Sequence, residues 1–248
     1  MKFHRGNERP ISDVPPVIVL VLLLAFTAQT AWHYTRPEPV ASASELPAPP
    51  PFDFMRLASL GDPVALSGIT MLWLQSFDNQ PGISIPFNQL DYTRLIGWLD
   101  LILKLNGKMM YPLLAASRLY GEVPDDAKKR QMLEFVYRKF LDDPDRRWPA
   151  LAHAVFVAKH RLKDLPLALR YASALSEKTT PSAVPFWARQ MDIYVLEDMG
   201  ELESAKVLVG GLLESGTIKD PQELEFLQQR LETLEKQLEE KRQSEKSN

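Results

Sequence analysis

Four histidines, one acidic cluster and a set of tryptophans are the residues of this chain best able to do chemistry. His4 and His33 flank a long apolar run. His153 and His160 are seven residues apart, so on a helix they fall near one face but two turns, about 10 Å, from each other. One metal ion cannot be shared over that gap without a ligand from another element. The acidic group Asp142, Asp143 and Asp145 stands before Arg146 and Arg147. Paired carboxylates can do acid–base work, but acids at this position more simply favour a helix N-terminus and cap its unpaired N–H groups. The chain has no cysteine, which removes disulfides, thiolate metal sites and thiol nucleophiles. It carries no HExxH, Walker loop, dinucleotide fingerprint or nucleophile elbow. The expectation is therefore no catalytic residue, no metal site and no cofactor, with an enzyme the least favoured class.

The apolar run itself spans residues 14–35 and holds no formal charge when His33 is neutral. About 20 residues at 1.5 Å rise cross the hydrocarbon layer of a bilayer, and only a helix satisfies its own backbone there. Pro15 and Pro16 suit the first helical turn, and Trp32 and Tyr34 suit the headgroup level. Lys2, Arg5 and Arg9 precede the run, whereas only Arg36 follows closely. The positive-inside rule then puts residues 1–13 in the cytoplasm and the rest of the chain outside, in the periplasm of a bacterium. The rival is a cleaved signal peptide, with Ala41-Ser42-Ala43 or Thr27–Ala31 near the cut. Either version exports the remainder, and the uncleaved inner-membrane anchor is preferred.

Residues 36–51 contain six prolines and no large apolar cluster, and read as an extended stalk. From 52 to 220 the pattern is helical. Asp62-Pro63 and Asp91 open two helices as N-caps, and others are expected over 111–120, 125–141, 148–162, 165–177, 185–199 and 202–214. Several markers recur at one period. Tyr111-Pro112 and Trp148-Pro149 are 37 apart; Pro185 before Phe186-Trp187 lies 36 further on. Lys163-Asp164-Leu165 with Ala168 recurs as Gly200-Glu201-Leu202 with Ala205, and the linkers at Gly107, Pro144 and Pro181 keep the same step of 37. Helix–turn–helix units repeating in the thirties are the mark of a helical solenoid, in which neighbours share one core. Trp73, Trp98, Trp148 and Trp187 then serve mainly as packing between hairpins, and a minority could line a peptide groove.

The turn Gly200-Glu201-Leu202 with Ala205, and the linker Leu141-Asp142-Asp143-Pro144, resemble the tetratricopeptide (TPR) family over about residues 62–216. The unit here is 37 residues instead of the family's usual 34. The resemblance implies an all-α, right-handed TPR-like solenoid of about four hairpins, which holds other proteins or peptides in its groove. An insertion, about residues 79–90, sits inside the first unit. Its apolar Ile83, Ile85 and Phe87 could form a recognition edge, or fold back over the first hairpin. Residues 221–248 place leucines at 224, 227, 231, 234 and 238. Leu224, Leu227, Leu231, Leu234 and Leu238 suit a short coiled-coil seam or, preferably, a capping helix on the last repeat. With a net charge of −3 and no basic patch, nucleic acid is not an expected partner. The functional expectation is a membrane-anchored scaffold or adaptor in an envelope complex. Self-assembly through the repeat edge or the leucine seam is the alternative.

Overall fold

Aspartate caps and prolines set where the helices begin. The computed structural model describes residues 14–35, 44–80, 82–216 and 218–246. His4, the basic residues before the apolar run, Arg36, the first half of the stalk and Pro81 lie outside them. Two compact units result, divided after Ser42. In the first, α1 (Pro16–Thr35) is one 20-residue helix long and apolar enough to span a membrane, with every residue exposed.

The second unit is helical apart from one small hairpin. Its helices are α2 (Phe52–Ala58), α3 (Pro63–Ser76), α4 (Tyr92–Leu105), α5 (Tyr111–Arg118), α6 (Asp126–Phe140), α7 (Pro144–His160) and α8 (Leu165–Lys178). They continue as α9 (Phe186–Arg189), α10 (Met191–Asp198), α11 (Leu202–Glu214) and α12 (Pro221–Lys246). Five starts share one device, an aspartate whose carboxylate takes a first-turn N–H. Asp62 accepts from Ala65 at 2.9 Å, Asp91 from Thr93 at 2.8 Å, Asp125 from Lys128 at 3.0 Å, Asp164 from Leu167 at 3.0 Å and Asp220 from Gln222 at 2.9 Å. The period of 37 has a backbone counterpart. Lys163 and Gly200 both take positive φ, 53° and 76°, and Ala168 and Ala205, each five residues on, are both fully buried.

Packing joins neighbours in the chain: α3 with α4, α5 with α6 and α7, α7 with α8, α8 with α10, α10 with α11, and α11 with α12. One core runs from Leu46 through Val195, and a smaller one around Ile193, Ala205, Val209, Leu227 and Leu234 closes the C-terminal end. The first turn of α7 is tied to the end of α6 and to two linkers. Buried Arg147 donates to Lys139 O at 2.6 Å and to Gly107 O at 3.2 Å, and Asp145 accepts from the Thr180 N–H at 2.7 Å and its hydroxyl at 3.0 Å.

Several expectations need correcting. Helix α7 starts at Pro144, four residues before Trp148, because Asp143-Pro144 is its N-cap and first position and not a linker. Asp143 stands at that cap, yet its carboxylate takes Arg146 Nε at 2.9 Å in place of a backbone N–H. The helix expected over 185–199 breaks at Gln190, whose backbone leaves the helical region (φ −100°, ψ 6°). The short α2 is a separate helix ahead of the one that Asp62-Pro63 opens. Within the insertion, Asn79–Gln80 and Ile83–Ser84 pair as a two-residue antiparallel ribbon. The described half of the stalk is no spacer. Residues 44–51 lie along α4, with Leu46 buried, Trp98 Nε1 donating to Pro47 O at 2.8 Å and Arg94 donating to Leu46 O at 2.8 Å. An extended proline-rich strand leaves its carbonyls without internal partners, so two donors on one helix face can hold it. Gly97 makes room, since a Cβ there would stand 2.8 Å from Pro49 Cγ.

Candidate partner-binding groove

The insertion that the sequence offered as a recognition edge turns inward. Ile85 is buried in the main core, and Phe87 packs edge-on to the buried Tyr120 ring, with centroids 5.3 Å apart. Ile83 keeps a half-buried side chain in the ribbon. These residues cover the first hairpin. Burial beside Phe87 also pushes the Tyr120 phenol up to about 12. The leucine row of α12 turns inward too. Leu227, Leu234 and Leu238 are buried, and Leu224 and Leu231 are half-buried. Leu227 and Leu234 share the small core with Ala205 and Val209 of α11.

An open apolar groove instead lies between α7 and the α9–α10 pair. Val155 and Val195 form its floor, both almost fully buried. Phe156 and His160 make one wall, and Trp187, Met191 and Tyr194 the other. Phe156 is 42% exposed and Trp187 56% exposed, far more than large aromatic side chains in a finished core. The volume is about 250 Å³. Small-molecule sites usually run from about 300 to 1,000 Å³, so this space is nearer the size of one large side chain.

Each wall is held from behind. His153 and His160 bracket the Phe156 ring, with centroids 5.8 and 4.8 Å away. Trp148 meets Trp187 edge-on at 5.6 Å and fixes its orientation. Lys159 at the rim pairs with Asp198 across the groove. Arg230 of α12 forks onto Glu197 and lies over the Tyr194 ring, 5.2 Å from its centroid. Desolvation at that wall raises the Tyr194 phenol above its ordinary value.

The two histidines do packing work in this arrangement. Burial lowers the His153 pKa, although Glu122 opposes the shift from 3.4 Å, a distance too long for a strong hydrogen bond. Glu122 also accepts from Arg161 at 3.2 Å. Among the described residues no three His, Asp or Glu side chains gather as a metal site. The acidic cluster is divided among structural partners: Asp142 with Arg147, Asp143 with Arg146, Asp145 with Thr180.

Sequence reasoning had named Trp148 and Trp187 but had no means of pairing them. Two aromatics 39 positions apart carry no sign of contact until the offset between successive hairpins is known. Phe156, Met191 and Tyr194 gave no separate signal, since each also fits an ordinary helical core pattern. Comparison with protein-family models, curated proteins and solved structures finds no match.

Proposed function

We propose that this chain is a membrane-anchored adaptor: a row of TPR-like hairpins stacked as a right-handed solenoid on a single N-terminal anchor. In this reading residues 1–13 lie in the cytoplasm and the helical unit faces the periplasm, where it holds a protein partner and catalyses nothing. Support for stacked units comes from three features. Dense packing joins only elements close in the chain, as expected when each unit touches its neighbours alone. The left-handed turns at Lys163 and Gly200 keep the 37-residue step. Most side-chain bonds between units span a similar separation, as in Arg170 with Glu134 and Gln75 with Tyr111.

The observation that carries the partner-holding role is the groove between α7 and α9–α10. Its aromatic walls are fixed from behind and its mouth is open. A preformed apolar slot beside a charged rim accepts an anchoring side chain from a helix or extended segment. The alternative of self-assembly through α12 is weakened, because two of the leucines a seam would use fill the chain's own core. The test is co-purification from gently solubilised membranes, comparing the intact chain with Phe156→Ala and Trp187→Ala. Both side chains are partly exposed, so the fold should survive. Loss of a discrete partner in both variants supports the role. A partner retained at full yield by both, or monomer alone from the intact chain, removes it.

A further inference from the structure

Helix α3 presents an apolar side to water. It buries Met71, Leu74 and the hydroxyl residues Ser67 and Thr70, while its aliphatics Val64, Ile69 and Leu72 are exposed, Leu72 by 69%. The hydroxyls stay satisfied by back-bonding to Val64 O at 2.7 Å and Leu66 O at 2.8 Å. Helix α2 adds exposed Phe54 and Leu57. The turn between the helices adds Leu60, 94% exposed and held at φ 49°. A bulky residue takes that left-handed conformation only at a cost, so the side chain is pushed outward where glycine or asparagine would be the easier choice. No Asp, Glu, Lys or Arg occurs from Pro63 to Phe77.

A run of exposed apolar residues of this extent marks a binding surface, and three observations favour lipid as its occupant. The uncharged length of α3 lacks the charged rim that usually surrounds a protein–protein contact. The helix pair is bent by 110°, and the inner side of α3 packs on α4, so the pair is not a simple second span. With its inner side occupied by α4 and its outer side apolar, the pair can lie along a bilayer surface with that outer side toward lipid. Finally, the tether is short. Ser44 is pinned to Gln80 by two hydrogen bonds of 2.8 and 3.0 Å. Only residues 36–43 then connect it to the end of α1 at Thr35, a contour of about 30 Å at full stretch. A tether of that length limits how far Ser44 can stand from a bilayer that holds α1.

We propose that the outer face of α2 and α3, from Phe54 to Leu72, is a lipid-binding surface seated in the interfacial layer of the membrane that carries α1. This rests on reading α1 as an anchor, and the experiment separates the two claims. The chain has no cysteine, so single substitutions give unique labelling sites. The full chain is reconstituted in phosphatidylethanolamine–phosphatidylglycerol vesicles with a fluorophore at Leu60→Cys, Leu72→Cys, Leu22→Cys or Glu203→Cys. Quenching by nitroxide-bearing lipid is compared with quenching by aqueous iodide. The proposal expects the labels at 60 and 72 to lose most of their emission to the lipid quencher and little to iodide, with the reverse at 203. Iodide quenching at 60 and 72 alongside lipid quenching at 22 overturns the lipid surface and leaves the anchor standing. Labels at 60 and 72 shielded from both quenchers overturn it in favour of a protein occupant, a second copy or a partner. Absence of lipid quenching at 22 overturns the anchor and, with it, the lipid surface.

Discussion

Helices α3 and α8 share a length of 14 residues, an aspartate N-cap and a proline in the first two positions, yet their outer faces differ. Helix α8 buries Ala168, Tyr171, Ala172 and Leu175 and exposes Arg170 and Lys178, the usual amphipathic division. Helix α3 buries Met71 and Leu74 together with the hydroxyls of Ser67 and Thr70, yet it leaves Val64, Ile69 and Leu72 outside and carries no charged residue. Cap and length are local instructions, read within one turn. Which face turns inward depends on what lies beyond the helix: α8 stands between two neighbouring helices and water, and α3 between α4 and, in our account, lipid.

The largest test of that contrast lies in the shared core. Phe135→Ala removes a side chain that is 1% exposed and should cost about 3–5 kcal/mol in urea unfolding of the detergent-solubilised chain. Leu72→Ala on α3 should cost almost nothing in the same measurement. Comparable losses in both would mean that the α3 face is covered within the fold.

A second test concerns buried polar groups. Ser67 and Thr70 are neutral and bonded to their own helix. Asp192 on α10 is 7% exposed, and burial pushes its carboxyl up to about 6 from 3.8. Between those values the folded state binds more protons than the unfolded one, so stability falls as pH rises from about 4 to about 6. Asp192→Asn should abolish that slope and stabilise the protein near neutral pH by an amount on the order of 1–3 kcal/mol. The gain should vanish near pH 4. Thermal melts across this range read both, and an unchanged slope would show that the carboxylate is solvated.

The caps provide a smaller contrast. Asp164 caps α8 and also pairs with Arg130, and that pairing first, then the Leu167 N–H, holds its carboxyl below the ordinary value. Asp62 caps α3 through one hydrogen bond. Asp164→Ala should therefore cost about 1–2 kcal/mol and Asp62→Ala about 1 kcal/mol or less. The contribution of Asp164 is present above the unfolded carboxylate value and is lost as pH falls through its depressed folded value. Equal costs for the two variants, read by urea midpoints at pH 7, would remove the Arg130 pair from the account.

Legibility in the sequence divides along the same line. The caps at Asp62 and Asp91 could be read, because an N-cap depends on residues within one turn. The 37-residue step could be read from punctuation at Lys163, Gly200 and the linkers. The exposed apolar side of α3 could not: from Val64 to Leu74 nearly every residue is apolar or small, so periodicity offers no contrast between faces. The docking of residues 44–51 was hidden for another reason. Backbone carbonyls receive Trp98 and Arg94, and carbonyls leave no trace in the amino-acid sequence. Arg147 reads as a surface charge beside Asp145, although its guanidinium is buried across two linkers. In the groove, Trp148 and Trp187 were visible singly, and their pairing needed the three-dimensional offset between hairpins.

Photo-crosslinking in native membranes, with a reactive side chain placed in the full chain at position 187 or at position 72, tests the division of labour most directly. The account predicts a discrete protein adduct from 187 in the aromatic groove and lipid adducts without a protein band from 72. A protein adduct from 72 with none from 187 would contradict it.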